Sequence, residues 1–308
     1  MSKDTPTSSK TYAFLTSGLP RTTDETTWQY NMRKLLTIKS LDDLRTASEN
    51  STMSRCLGPF ELIMLGIGGS VGAGIFVLTG QVAAIHAGPA IVLSYLVSSL
   101  VALFAALCYS ELASMIPISG SAYTYAYATM GELMAWIVGW TLILEYLVST
   151  AAVAVGWSSY FVHLFEDAFS VSLSNSTTMS PLLFDVTTQS FQTVPGTYFN
   201  VPAFAVVVLL TVVLVLGIKE SARFNNVIVV FKVLVILLFI FSAAPSIKSE
   251  NYKPFVPKNE GTFSAYGASG IFSGASIVFF AYIGFDAIST VAQETKNPSR
   301  DLPIGILG

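Results

Sequence analysis

Five glycines fall within nine residues of one apolar stretch: Gly66, Gly68, Gly69, Gly72 and Gly74. Glycine costs a helix interior about 1 kcal/mol relative to alanine. A backbone that opens inside a bilayer must also find new partners for its N–H and C=O groups. The cluster therefore indicates an unwound segment that lines a polar cavity. Close packing of helices through small residues is the alternative, because Gly68 and Gly72 have the required spacing.

A second glycine interruption lies far along the chain, where Gly284 and Asp286 fall in an otherwise apolar run. Freed N–H groups at the start of a half-helix favour an anion, and freed carbonyls favour a cation. Two such breaks that meet at the bilayer midplane suit a zwitterion carrying both a carboxylate and an ammonium. An amino acid is the simplest ligand of that description.

Lys232 is an ionisable residue inside an apolar stretch, about eight residues, or roughly 10 Å, from the cytoplasmic end of its predicted span. Charged residues in lipid are costly and usually mark a function. An apolar setting disfavours the charged form of a lysine, so Lys232 can exchange a proton near neutral pH. We predict that it couples transport to protons. Snorkelling of its side chain to the interface is the alternative.

Three carboxylates lie in or beside the predicted spans. Glu145 can line the substrate cavity, where it would suit a basic side chain, or it can partner a buried hydroxyl. Asp286 and Glu294 flank the cytoplasmic end of the last complete span, where we expect a gate or a structural polar network. The sequence leaves both roles open for Glu145.

The composition indicates what positions these residues. The chain has 308 residues, of which 52% are hydrophobic and 11% charged, and its mean hydropathy is +0.62. A soluble domain carries about 25% charged residues. The 49 residues between Glu61 and Glu111 include no Asp, Glu, Lys or Arg, and about 20 apolar residues cross a bilayer. A soluble enzyme, a nucleic-acid-binding protein and a disordered protein are excluded, and the chain is predicted to be an all-α polytopic membrane protein.

Two regions are predicted. Residues 1–55 hold eight of the sixteen Lys and Arg and indicate a largely disordered cytosolic tail. Residues 56–308 form the membrane domain, in which Pro303–Gly308 would start a seventh span. Twelve basic residues lie in the segments on the same side as the N-terminus, and three lie in the loops on the opposite side. Because cytoplasmic loops carry an excess of Lys and Arg, the N-terminus is predicted to be in the cytoplasm. The six predicted spans are roughly 61–85, 90–113, 133–162, 201–217, 224–245 and 268–291.

Several motifs together give the chain a family resemblance over about residues 57–308. It closely resembles the amino acid-polyamine-organocation superfamily, and within it the cationic amino acid transporter family and its bacterial relatives. The matching stretches are Gly66–Gly80, Ala87–Pro89, Leu107–Tyr125, Gly139–Trp157, Gly217–Asn226 and Phe279–Pro298.

The resemblance implies a fold and a mechanism. The fold is a five-plus-five inverted repeat with broken first and sixth helices, and the mechanism is secondary transport by alternating access. Such a fold needs at least ten spans, so we expect the chain to be the N-terminal portion of a longer protein, truncated after the sixth helix. Proton-coupled bacterial relatives have a lysine at the position of Lys232.

The resemblance also implies the binding residues. Backbone around Ser70, Gly72, Ala73 and Gly74 would hold the substrate carboxylate and part of its amine. Ala73 stands where relatives often have Thr or Ser, which removes a hydroxyl contact. Tyr282 stands where relatives often have Phe, so the aromatic residue expected to gate the site carries a hydroxyl in this chain. The ammonium would be held by carbonyls of Phe280, Ala281 and Ile283.

The sequence therefore predicts an amino acid permease, with cationic or neutral amino acids as substrates and protons as the coupling ion. No cofactor, metal or nucleic acid is expected as a partner, and the location is a membrane, the plasma membrane by preference. An amino-acid sensor built on a transporter scaffold and a channel are the competing functions. Binding without flux would indicate the sensor, and saturable, exchangeable uptake would argue against the channel.

Overall fold

The computed structural model describes residues 26–40, 44, 46, 52–185 and 190–308. Its helices are α1 Thr27–Leu35, α2 Pro59–Ser70, α3 Thr79–Val82, α4 Ile91–Met115, α5 Ser121–Thr129, α6 Glu132–Phe169, α7 Asn175–Thr178, α8 Val201–Leu216, α9 Ile218–Ala243, α10 Gly267–Val278, α11 Ala287–Thr290 and α12 Pro298–Leu307. Two π-helical segments, Gly74–Leu78 and Ala83–Ala87, flank α3. Single 3₁₀ turns form at Gly88–Ala90, Ala244–Ser246, Ser249–Tyr252, Phe279–Tyr282 and Ala292–Glu294.

A two-stranded antiparallel sheet is the only sheet of the described residues. Strand β1 (Leu182–Asp185) pairs with β2 (Ser190–Thr193), with Leu182 opposite Thr193. It lies in the long connection between α6 and α8, outside the apolar segments.

The membrane-spanning character of the chain is confirmed. Within the described residues, four segments are long and apolar enough to cross a membrane: Pro59–Met115, Glu132–Phe169, Ile218–Ser246 and Gly267–Thr290. The first has 57 residues and turns at Gly88, whose φ is +58°, so it contains both the first and the second predicted span. The fourth predicted span is apolar and helical but shorter, at Val201–Val215.

Three helices extend beyond the predicted apolar spans. Gly217, at φ +126°, is the whole connection between α8 and α9, so the charged residues predicted to form a loop there lie on the first turns of α9. The third predicted span, 133–162, extends to Phe169. The seventh helix begins at Pro298, five residues before the predicted start at Pro303; proline suits the first position of a helix, and the buried Asp301 accepts a hydrogen bond from the Asn297 amide at 3.3 Å.

Small polar residues join α4 to α10. Ser94 Oγ donates to the Ile271 carbonyl at 2.9 Å, and one turn later Ser98 Oγ donates to the Ala275 carbonyl at 2.5 Å. The same face of α4 continues as a buried series of small residues, Ala102, Ala106, Ser110 and Ala113. Small side chains allow helix backbones to approach closely in a membrane, so α4 holds the sixth span in a fixed position.

The two broken spans are also joined at both of their ends. Near the start of α2, Leu57 forms a parallel β-bridge with Thr295, and the Lys296 amide donates to the Leu57 carbonyl at 2.9 Å. At the other end, the Tyr266 amide donates to the His86 carbonyl at 2.8 Å, and His86 Nδ1 lies 2.7 Å from the Ser264 carbonyl. These contacts fix the two spans to each other on either side of their interruptions.

One helix precedes the membrane domain. Thr26 caps α1 by accepting the Gln29 amide at 3.3 Å. Helix α1 is an ordered segment inside the predicted tail of residues 1–55; that the tail is largely disordered stays a prediction. Residues 1–25, 41–43, 45 and 47–51 of that predicted tail lie outside the described part of the chain.

Candidate substrate site at two broken helices

The first break follows Ser70, the last residue of α2. Val71 has ψ +88°, which is not helical, and its amide makes the final bond of α2 to the Ile67 carbonyl at 2.8 Å. The amides of Ile75 and Phe76 then donate to the Gly72 carbonyl at 3.0 and 3.1 Å. A second half-helix therefore starts at Gly72, and the first N–H groups of any helix lack an intrahelical acceptor.

The second break follows the 3₁₀ turn Phe279–Tyr282. Ile283 is extended, with ψ +133°, and Gly284 has φ +130°, a conformation that side-chain-bearing residues rarely adopt. The Phe280 carbonyl accepts the Ile283 amide at 3.3 Å. Among the hydrogen bonds of the described residues, none engages the Ile283 carbonyl. A free carbonyl of this kind is an acceptor for a cation or an N–H donor.

The two breaks cross in direct backbone contact. A Cβ on Gly284 would lie 2.7 Å from the carbonyl carbon of Gly69 and 3.0 Å from the Ser70 amide nitrogen. A Cβ on Gly74 would overlap the Cα of Ala281 and lie 2.8 Å from its nitrogen. These glycines allow a close approach that no other residue permits. The predicted site residues Ser70, Gly74 and Ala281 are thus brought together.

Gly72 differs from its neighbours in the cluster. A Cβ at Gly72 would have no heavy atom of the described chain within 4 Å. The two interpretations of the glycine cluster, an opened helix beside a cavity and close helix packing, therefore apply to different glycines. Gly69 and Gly74 serve close packing, whereas Gly72 lies at the helix break and faces open space.

Substitution of Gly284 by alanine is expected to destabilise the crossing. The added methyl combines an unfavourable φ with overlap on Gly69, and the two effects together cost about 2–4 kcal/mol of unfolding free energy. Thermal unfolding of the purified full-length protein in detergent measures the loss. Gly80→Ala is the control, because nothing lies within 4 Å of the Gly80 Cβ position. Equal melting temperatures for the two variants would contradict the close crossing.

Tyr95 of α4 contacts both broken helices, and the sequence analysis missed it. Its hydroxyl donates to the Gly74 carbonyl at 3.3 Å and lies 2.6 Å from Thr79 Oγ1. Its backbone carbonyl accepts the Tyr282 hydroxyl at 3.0 Å. Tyr282 therefore uses its hydroxyl, which a Phe would lack, to hold the second break to α4. A tyrosine in an apolar run carries no sequence signal for this role.

Lys232 reaches the first broken helix. Its Nζ donates to the Gly68 carbonyl at 2.8 Å, and two turns earlier on α9 Asn225 Nδ2 donates to the Met64 carbonyl at 3.0 Å. Because α2 ends at Ser70, Gly68 is one of its last residues, whose carbonyls lack helical donors and attract cations. Since α9 begins at Ile218, Lys232 lies about 21 Å along the helix from its first residue; its depth in the membrane stays a prediction.

Two carboxylates lie close to each other near the start of α11. Asp286 is buried and accepts a hydrogen bond from the hydroxyl of Tyr146 on α6. Glu145, which precedes Tyr146, is half-buried and interacts electrostatically with Asp286. Tyr109 packs edge-on against Phe285 at 5.6 Å between ring centroids. Asp286 therefore belongs to a polar and aromatic network beneath the second break.

Metal ligands are not grouped in the described part of the chain. No set of three or more His, Cys, Asp or Glu side chains there could hold a metal ion. The polar groups gathered at the breaks are backbone amides and carbonyls.

Comparison with known proteins gives the family. The family model "Amino acid permease" matches residues 57–308. The branched-chain amino acid permease BcaP of Bacillus subtilis is 49% identical over 272 residues, which are 87% of this chain and 54% of that protein. The methylthioribose transporter of the same organism is 43% identical over 276 residues, 90% of this chain and 56% of the relative. Human cationic amino acid transporter 4 is 36% identical over 276 residues, 89% of this chain and 40% of the relative.

The chain thus spans about half the length of the curated relatives it matches. The resemblance to the amino acid-polyamine-organocation superfamily, stated from the motifs, is confirmed by these matches. With two interrupted membrane helices crossing at Gly69, Gly74 and Gly284, and with a family match over the whole membrane domain, the chain belongs to the amino acid permease family.

Proposed function

We propose that this chain carries the substrate site of a proton-coupled amino acid permease with a five-plus-five inverted-repeat fold. The observation that carries the proposal is the crossing of two broken helices beside Gly72. A Cβ at Gly72 would point into open space. Binding sites of secondary transporters form where discontinuous helices meet near the bilayer midplane. The full fold would require further spans beyond those described.

The substrate carboxylate would bind the amides that begin the second half-helix, at Gly72, Ala73 and Gly74, together with the backbone at Ser70. These N–H groups lie at a helix N-terminus, where the helix dipole favours an anion. Ala73 offers no hydroxyl, so the contact would be made by backbone alone. Such a backbone contact would recognise the carboxylate, which all amino acids have in common.

The substrate ammonium would bind carbonyls of the second break. The Ile283 carbonyl is the first candidate, because no hydrogen bond of the described residues engages it. The Phe280 carbonyl, in contrast, already accepts the Ile283 amide at 3.3 Å. A carbonyl has two lone pairs, so Phe280 and Ala281 can contribute as well. Glu145, near Asp286, would favour a basic side chain in the cavity if the substrate carries one. Neutral and cationic amino acids are the proposed substrates.

Proton coupling is proposed for Lys232. The protonated ammonium donates to the Gly68 carbonyl at 2.8 Å, next to the break. A neutral lysine would bind that carbonyl less strongly, because charge-assisted hydrogen bonds are the stronger kind. Protonation would therefore favour the arrangement in which α9 and α2 are joined, and a proton gradient would shift the carrier between its two orientations. We propose a plasma-membrane location with the N-terminus in the cytoplasm, as the charge distribution predicts.

Uptake into proteoliposomes tests the proposed function. We expect the purified full-length protein to take up labelled leucine or arginine saturably, and faster when the same unlabelled amino acid is present inside. Such exchange requires a site that alternates between the two sides. Specific binding without flux would instead indicate a sensor, and flux that does not saturate would indicate a channel; either result contradicts the proposal.

A further inference from the structure

Helix α1 has one apolar face that is open to its surroundings. On a helix of 3.6 residues per turn, Trp28, Met32, Leu35 and Leu36 fall within an arc of about 100°. Trp28 is 71% exposed and Leu36 64% exposed. A tryptophan this exposed is unusual on a surface in water, whereas tryptophans are enriched where a protein meets the headgroup region of a bilayer.

The rest of the α1 surface is mostly polar and basic. It carries Asn31 beside the apolar arc and Arg33 and Lys34 farther round, with both basic residues in the last turn, and the helix contains no acidic residue. Lys39 follows shortly after it. Amphipathic helices with basic polar faces and a tryptophan on the apolar face lie in the plane of the interface and favour anionic lipids. The positive charge of α1 is therefore complementary to an anionic lipid surface and not to another basic protein segment.

The position of α1 places it at the bilayer surface. The backbone of Leu36 packs on Gly131, where a Cβ would lie 3.0 Å from the Leu36 carbonyl carbon. Gly131 directly precedes the membrane helix α6. The Lys39 amide donates to the Tyr127 carbonyl at 3.3 Å, and Lys39 Nζ lies 5.4 Å from the Tyr127 ring centroid. Residues that follow α1 are thus fixed to the start of the membrane helix α6.

This attachment makes weak lipid affinity sufficient. A nine-residue helix is too short to be stable alone in water. A tethered segment meets its partner at a high effective concentration, so a few apolar side chains are enough to keep it on the surface. Burial of the exposed apolar face would also stabilise the helix itself.

We propose that α1 lies in the headgroup region of the anionic leaflet, with Trp28, Met32 and Leu36 among the upper acyl chains and Lys34 at the lipid phosphates. Under the orientation proposed above, this leaflet is the cytoplasmic one. The inference concerns a membrane-contacting segment and is independent of transport, so it can hold even if the proposed function fails.

Fluorescence quenching in the full-length protein tests this proposal. An environment-sensitive label is attached to Met32→Cys or, as the matched control about 100° round the helix from Met32 and outside the apolar arc, to Asn31→Cys, with every other cysteine replaced by serine. The protein is reconstituted in phosphatidylcholine vesicles containing about 30% phosphatidylglycerol. We expect lipids brominated near the headgroup to quench the Met32 label, and aqueous iodide to quench the Asn31 label.

A charge variant tests the choice of lipid. Lys34→Gln is expected to weaken insertion about fivefold in the anionic vesicles, since one basic residue near an anionic surface contributes about 1 kcal/mol, and to have no effect in pure phosphatidylcholine. Equal quenching of the two labels would overturn the proposal. Shielding of the Met32 label from iodide without quenching by the lipid would also overturn it, because protein would then cover this face.

Discussion

Replacement of Gly72 by leucine in the full-length protein is expected to abolish amino acid binding without unfolding the protein. The new side chain has no heavy atom of the described chain within 4 Å of its Cβ, so it displaces no packed neighbour. Gly72 also lacks a positive φ, so the backbone is not strained. The added atoms would occupy the space beside the amides that are proposed to hold the carboxylate.

The expected loss of affinity is about 100-fold or more, which corresponds to about 2.8 kcal/mol. Binding of labelled amino acid to the purified protein measures this loss, and thermal unfolding of the same sample checks its fold. Gly72→Ala is the matched control, because a single methyl fills less of the space and is expected to weaken binding only about tenfold.

Two results would contradict this prediction. Normal affinity in Gly72→Leu would show that the open side of Gly72 is not the substrate site. A large fall in melting temperature, comparable with that of Gly284→Ala, would show that this side is filled by packing in the full-length protein.

Replacement of Lys232 by methionine is expected to eliminate proton-driven accumulation while leaving exchange intact. The ammonium that donates to the Gly68 carbonyl at 2.8 Å is lost, and methionine is apolar, unbranched and of similar length. Because the amides at Gly72–Gly74 are untouched, the substrate can still bind and exchange across the membrane. The variant therefore separates coupling from binding.

The measurement is uptake of labelled amino acid into proteoliposomes with and without an imposed inward proton gradient. One pH unit supplies at most about tenfold accumulation per proton, and we expect that only for the unmodified protein. Lys219→Met is the control, because Lys219 lies on the first turn of the same helix and is exposed. Lys232→Ala should behave as Lys232→Met does. Gradient-driven accumulation by either Lys232 variant would contradict the coupling role.

Much of the membrane domain could be predicted from the sequence, because apolar length and glycine content are local properties. Charge-free runs such as the one between Glu61 and Glu111 identified the spans, and the glycine clusters identified the two helices that break. The motifs in these same stretches led to the family. Differences arose where a helix continues beyond its apolar run. The charged residues after Gly217 belong to α9, and α12 starts at Pro298, earlier than the apolar pattern indicates.

Helix α1 was missed for a related reason. Its stretch, from Thr27 to Leu35, is polar on average and carries basic residues, so composition assigned it to a disordered tail. The capping hydrogen bonds at Thr26 and the packing of Leu36 on Gly131 hold it instead. Amphipathic periodicity was the signal in the sequence that could have found it.

Only the tertiary structure decided what each residue at the breaks does. Composition could not separate Gly69 and Gly74, which pack against Gly284 and Ala281, from Gly72, which faces open space. The bond from Lys232 to Gly68 joins positions 164 residues apart, and Tyr95 contacts both breaks through groups that any tyrosine has. Apolar patterns specify which segments enter the membrane, but the partner of a polar group there depends on which helices cross, and that is settled only when the helices pack.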